Sequence, residues 1–111
     1  MKRFITREMV AQIINGLPER FDTHEVEQRV LRGESNQPGS TVALAKQLLE
    51  FKDAVDPWKS FSADFSKWMG KEFRNDLTQS ANGRKVLSRD VGGGMSKNQE
   101  WTRVNPQIQI V

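Results

Sequence analysis

Six residues between positions 66 and 75 combine small size with a positive charge or an amide group at helical spacing. They are Ser66, Lys67, Gly70, Lys71, Arg74 and Asn75. Serine and glycine allow another molecule to approach closely, whereas lysine, arginine and asparagine reach phosphates and base edges. This face therefore predicts nucleic-acid binding. The alternative interpretation is an ordinary solvated face of a basic helix.

A second group of basic residues lies in a segment with the pattern of a β-hairpin. Its arms are Arg84–Val91 and Gln99–Val104, and the Gly92–Gly94 tip is typical of a flexible wing. The segment carries Arg84, Lys85, Arg89, Lys97 and Arg103. Cations on such a hairpin contact the phosphate backbone or enter the minor groove of duplex DNA, where they mainly add affinity.

Positive charge is concentrated in this part of the chain. Residues 67–111 hold eight Lys or Arg against four Asp or Glu, a net charge of +4, whereas residues 1–66 hold nine against ten, a net charge of −1. The segregation favours a polyanionic partner, and double-stranded DNA is the one we predict.

The amino-acid composition limits which other kinds of site the chain can hold. A chain of 111 residues fits one domain, which we expect to span positions 1–111. Without cysteine and with a single histidine, the sequence predicts no disulfide, no metal site and no cofactor. The N-terminus lacks the apolar core of a secretion signal and no apolar run approaches bilayer length, so we expect a cytoplasmic protein without a membrane partner.

Apolar periodicity predicts two helices in the first third of the chain. The first follows a Thr6 cap and ends between Gly16 and Pro18, and the second spans Thr23–Arg32, capped by Asp22 and stopped at Gly33. Phe21 and Val26 have the spacing of a hydrophobic staple around the second cap.

Two further helices are predicted beyond the Gly33–Ser40 loop. The third runs from Thr41 to about Asp53, with Pro57 as its limit, and the fourth presents Phe61 to Leu77 on one apolar face. The tail, 105–111, alternates polar and apolar residues and fits either a short edge strand or a frayed end. The predicted fold class is mainly α with a C-terminal β-hairpin.

Catalytic patterns are weak. Glu50-Phe51-Lys52 has the Glu-x-Lys form of some metal-dependent nucleases, but it ends a predicted helix instead of lying on a strand. His24 stands beside Glu25 and Glu27 without a nucleophile nearby in sequence. We therefore predict that the protein is not an enzyme and has no catalytic residues.

Trp101 allows two interpretations. A tryptophan on the return strand of a hairpin could stack on a nucleic-acid base, but it more often packs against an adjacent helix. We expect Trp101 to belong to the core.

The order of these elements resembles a winged helix-turn-helix domain. The resemblance lies in the capped second helix, Phe21–Arg32, the later helix and the hairpin arms, and it covers most of the chain as a pattern. It implies that the helix before the wing, Phe61–Leu77, is the recognition helix. The sequence departs from the simple motif through the extra helix Thr41–Asp53 and the loop Gly33–Ser40. One of the middle helices is then an insertion, or the fold is a helical domain with an incidental hairpin.

Two functions follow from these patterns. The first is a small DNA-binding protein, a transcriptional regulator or an accessory factor of a bacterium or phage. The second is a protein-interaction module, such as a small phage protein that binds or inhibits a host enzyme, or one that forms a homodimer. The second rests on Asp53, Asp56 and Asp64 around Trp58 and Phe61, which have the pattern of an exposed aromatic motif.

Overall fold

The computed structural model describes residues 4–33, 40–83 and 85–109, and these contain four α-helices and four strands. In chain order they are α1 (Arg7–Asn15), β1 (Arg20–Asp22), α2 (Thr23–Leu31), α3 (Ser40–Leu48), α4 (Pro57–Glu72), β2 (Leu77–Gln79), β3 (Lys85–Arg89) and β4 (Met95–Arg103), with short 3₁₀ turns at Leu49–Phe51 and Ser80–Gly83. The predicted combination of helices and a C-terminal hairpin is confirmed. The strands, however, are not confined to the C-terminus, because β1 lies between the first two helices.

The first two helices begin and end where their caps predict. The Thr6 hydroxyl accepts the backbone N–H of Met9 (3.3 Å), and the Asp22 carboxylate accepts that of Glu25 (2.8 Å). Each cap satisfies a donor that the first helical turn leaves unpaired. After α2, Gly33 takes a positive φ of 69°, which a glycine adopts without strain.

Helix α4 is displaced toward the N-terminus relative to the prediction. It begins at Pro57, where Asp56 caps it by accepting the N–H of Lys59 (3.1 Å). Proline suits the first position of a helix because its missing N–H would be unpaired there. The helix ends at Glu72, so Arg74 and Asn75 lie in the following turn and Leu77 begins β2. The predicted range Phe61–Leu77 was therefore wrong at both ends.

The predicted third helix was also too long. Helix α3 ends at Leu48, and residues 49–51 continue as a 3₁₀ turn. Residues 34–39 of the predicted loop lie outside the described residues.

Strand β4 is the centre of an antiparallel sheet. Phe21 of β1 and Gln79 of β2 both pair with Trp101, so β1 and β2 flank β4 on opposite sides. The preceding part of β4 pairs with β3, from Lys85 opposite Gln99 to Arg89 opposite Met95. This register forms the predicted hairpin, whose tip turns at Gly93 with φ 92°.

The hairpin tip packs against the helices instead of standing free. The Gln28 side chain of α2 donates to the carbonyl oxygen of Asp90 (2.9 Å). On the other side, a Cβ added to Gly92 would lie 2.8 Å from Trp58 Cδ1, so only glycine lets the tip approach this ring. The expectation of a loose wing does not match these contacts.

Aromatic rings of α4 and of the turn that follows it form a row in the core. The Phe61, Phe65, Trp68 and Phe73 rings follow one another with centroid separations of 5.7–5.9 Å. Phe61 has no exposed surface, so the predicted exposed aromatic motif loses that residue. Trp58 is partly buried.

The C-terminal tail contributes one side chain to this core. Ile108 is fully buried, and the Asn15 side chain holds its backbone by accepting its N–H (2.7 Å) and donating to its carbonyl oxygen (2.9 Å). Residues 104–109 form no strand, so the tail is anchored without joining the sheet. None of the helices described is long and apolar enough to cross a bilayer.

Candidate nucleic-acid interface

A groove of about 810 Å³ lies between the second half of α4 and the sheet. One wall is α4 with the turn that follows it, and the other wall comes from β2, the turn before β3, and the strands of the hairpin. The lining residues are Ala63, Ser66, Lys67, Gly70, Lys71, Arg74, Leu77, Thr78, Gln79, Gly83, Lys85, Gln99 and Trp101.

The charge of this lining has one sign. Of the described residues that form it, Lys67, Lys71, Arg74 and Lys85 are basic and none is Asp or Glu. The adjacent carboxylate of Glu72 forms an ion pair with Arg7 of α1 (3.5 Å). Charges of one sign within a concave surface reinforce one another, so this groove attracts anions.

The floor of the groove depends on a glycine beside a tryptophan. A Cβ at Gly70 would lie 3.1 Å from Trp101 Cη2, so glycine lets α4 lie directly on the ring. The Trp101 indole N–H donates to Thr23 Oγ1 (3.0 Å) at the start of α2. Trp101 is 4% exposed, which confirms its place in the core and leaves its ring no face for stacking on a base.

The structure brings together most of the predicted helix face. Ser66, Lys67, Gly70, Lys71 and Arg74 all line the groove, and Lys85 of the hairpin faces them from the opposite wall. Arg74 reaches it from the turn after α4. Asn75 is exposed in the same turn but does not line the groove, and its backbone carbonyl accepts the side-chain amide of Asn105 (3.3 Å).

The remaining hairpin cations occupy different surroundings. Arg103 points away from the groove and donates to the carbonyl oxygens of Ile14 (2.7 Å) and Leu17 (3.3 Å), so it caps the end of α1. Arg89 is exposed and donates to the Gly93 carbonyl oxygen (2.6 Å) at the tip. Arg84 lies outside the described residues.

A smaller recess of about 220 Å³ adjoins the groove near the N-terminal half of α4. Lys97 lines it together with Lys59, which the sequence patterns did not single out. Four lining residues, Ala63, Ser66, Lys85 and Gln99, are shared with the groove.

A buried polar cluster supports the recess from beneath. The His24 backbone N–H donates to Asn98 Oδ1 (2.8 Å), and its ring Nδ1 lies 3.0 Å from Ser88 Oγ. Burial lowers the pKa of His24 below 6.5, although the charges of Asp22 and Asp90 act in the opposite direction. His24 is thus a neutral residue that joins α2 to the hairpin near pH 7.

Glu27, one turn further along α2, is the most unusual ionisable group described. It is 1% exposed, and burial raises the pKa of its carboxyl to about 8 although the Ser62 hydroxyl donates to Oε2 (3.3 Å). Asp90 and Asp22 add to the increase. The sequence contains a signal for this burial, since Thr23, Val26, Glu27 and Val30 share the inward stripe of α2.

No protein-family model matches the chain, and comparison with curated proteins and with solved structures found no match. The groove and its chemistry are therefore the basis for assigning a function.

Proposed function

We propose that this protein is a small DNA-binding protein of winged-helix type that holds duplex DNA in the groove between α4 and the sheet. The observation that carries the proposal is the convergence of Lys67, Lys71, Arg74 and Lys85 on one concave surface whose described lining contains no carboxylate. Phosphate contacts of lysine and arginine supply most of the affinity of a non-specific DNA complex.

The arrangement of the elements supports the same proposal. Of the described elements, only the short strand β2 and a 3₁₀ turn separate α4 from the hairpin, and Gly70 packs on Trp101 of β4, so the backbones that carry the helix and hairpin cations have defined relative positions. Cations carried by a rigid backbone bind a regular array of phosphates at a lower entropic cost than cations on a mobile loop. Uncharged polar residues of the lining, such as Ser66 and Gln79, are suited to direct or water-mediated contacts with DNA. A role as a transcriptional regulator or accessory factor would follow from such binding.

The experiment is a salt titration of binding to a mixed-sequence 20-base-pair duplex, followed by fluorescence anisotropy. The Lys67→Ala/Lys71→Ala/Arg74→Ala variant should lose affinity at least about tenfold, and its plot of log K against log salt should be shallower by up to about 2.7, because each phosphate contact contributes about 0.9. A matched control is Arg20→Ala/Lys46→Ala/Lys52→Ala, which removes the same charge from outside the groove and should stay within about twofold of the wild type.

Two results would contradict the proposal. One is a flat salt response of the wild-type protein. The other is equal loss of affinity in the groove variant and its control, because net charge alone would then explain binding.

One observation favours a second candidate function, docking on another protein. Leu49 and Val55 are exposed apolar side chains in the segment between α3 and α4, close in sequence to Asp53 and Asp56. Exposed apolar side chains near carboxylates suit contact with a protein partner whose apolar patch has a basic rim. Size-exclusion chromatography with light scattering distinguishes the two functions. Docking on a second copy predicts that the wild-type protein is a dimer. The Leu49→Ser/Val55→Ser variant should then be a monomer with unchanged DNA binding.

A further inference from the structure

We infer that the basic groove continues along α4 into the smaller recess, where Lys59 and Lys97 hold a further phosphate of the same DNA backbone. This inference rests on the proposed function and specifies how the DNA lies. The backbone of one strand would run lengthwise beside α4, from Arg74 toward Lys59, with the hairpin as its opposite wall.

The two cavities form one continuous surface. They share Ser66 and Ala63 on the helix side and Lys85 and Gln99 on the sheet side. Lys59 and Lys71 are twelve residues apart on α4, or about 18 Å at 1.5 Å per residue. One phosphate cannot occupy that length, whereas successive phosphates of a strand can.

The recess has the charge that a phosphate needs. Lys59, Lys85 and Lys97 line it, and none of the described lining residues is Asp or Glu. Ser62 of α4 and Ser96 of β4 also line the recess, and their hydroxyl groups donate to Glu27 and Asp90. Lysine ammonium groups are common side-chain contacts to phosphate oxygens.

The acidic groups near the recess do not line it, and their carboxyl groups are engaged in other contacts. The Asp90 carboxylate accepts the Ser96 hydroxyl and the Gly94 N–H, both at 3.0 Å, within the hairpin tip. The Asp56 carboxylate caps α4 through the N–H of Lys59. Glu27 lies behind Ser62 and is largely protonated at neutral pH, because its pKa is raised to about 8.

The concave shape of the groove also affects how DNA can bind. The lysines of α4 do not project from an isolated convex helix, since Lys85 and Gln79 stand opposite them across the groove. An extended phosphate backbone fits such a trough along its length. The inference therefore predicts contacts along the whole of α4, and not only at its C-terminal half.

The test compares Lys59→Ala/Lys97→Ala with Lys46→Ala/Lys52→Ala in the same duplex titration. Loss of the contact with this one phosphate should reduce affinity up to about tenfold at 0.1 M salt and make the salt slope shallower by about 0.9. The control pair should leave both quantities unchanged. Thermal unfolding of each variant verifies that the fold is retained, and a Lys59→Arg/Lys97→Arg variant should keep the wild-type salt slope.

The outcomes separate this inference from the proposed function. If Lys59→Ala/Lys97→Ala binds like the wild type while the Lys67, Lys71 and Arg74 variant is weakened, the recess is not part of the path and only the inference is overturned. If the wild-type protein shows no salt-dependent binding, the proposed function fails as well. Titration with inorganic phosphate adds a second criterion: tight binding of the free ion, lost in Lys59→Ala/Lys97→Ala, would overturn the assignment to a DNA backbone.

Discussion

Replacement of Trp101 by alanine is expected to lower the free energy of unfolding by about 3–5 kcal/mol, the usual cost of truncating a buried aromatic side chain. The ring fills the space beneath Gly70, and its N–H reaches Thr23. Removal of the ring leaves a cavity where α4 meets the sheet. For a domain with a typical stability of about 5–15 kcal/mol, a loss of this size leaves a substantial unfolded fraction under mild denaturing conditions.

Urea unfolding followed by circular dichroism measures this effect, and two further variants separate its parts. Trp101→Phe retains a buried aromatic ring but loses the hydrogen bond to Thr23. Its free energy of unfolding should therefore fall by less than that of Trp101→Ala. Leu87→Ala changes a side chain that is 62% exposed on β3 and should stay within about 0.5 kcal/mol of the wild type. If Trp101→Ala were as stable as the wild type, the ring would not belong to the core, and a ligand role for it would have to be reconsidered.

The free energy of unfolding should fall by about 1 kcal/mol between pH 7 and pH 9 because of Glu27. The pKa of its carboxyl is about 8 in the folded protein, compared with 4.5 as its model value. At a pH between these two pKa values, the folded state retains a proton on Glu27 that the unfolded state has released. Raising the pH therefore destabilises the folded state, and the loss is complete once the pH has passed the folded pKa.

Glu27→Gln removes the ionisation while keeping the size of the side chain. Its stability should not show the decline from pH 7 to pH 9 that the wild type shows in urea unfolding. Glu25→Gln, on the same helix but with a carboxylate that is partly exposed beside Arg29, serves as the control and should retain the wild-type slope. His24 contributes little in this range, because its pKa is lowered in the folded state and the unfolded imidazole, with a pKa of 6.5, is mostly deprotonated above pH 7. Equal slopes in Glu27→Gln and the wild type would show that Glu27 is not buried as described.

The local signals of the sequence predicted much of the secondary structure. Thr6 and Asp22 cap helices as expected, because a short polar side chain next to an apolar periodic run can bond only its own first turn. Gly33 ends α2 and the glycines near Gly93 turn the hairpin for a similarly local reason, the freedom of glycine to adopt positive φ.

Predictions failed where two local interpretations compete. Pro57 is compatible with the end of one helix or the start of the next, and the Asp56 cap selects the second. Phe73 and Leu77 continue the apolar spacing of α4, yet they reach the core from a turn and a strand. Strand β1 has only three residues, which is too short for a recognisable alternation of polar and apolar residues. Its pairing with β4 defines it as a strand.

By itself the sequence determined that the chain holds capped amphipathic helices, a C-terminal hairpin and a positive charge concentrated after residue 66, because caps, periodicity and charge are properties of neighbouring residues. Only the tertiary structure decided which charges share a surface. The pairing of β3 with β4 brings Lys85 to the groove that Lys71 of α4 also lines, whereas Arg103 on β4 is directed to the end of α1. Packing of α2 against α4 likewise buries Glu27 beside Ser62. These outcomes depend on contacts between residues far apart in the chain, which local patterns do not specify.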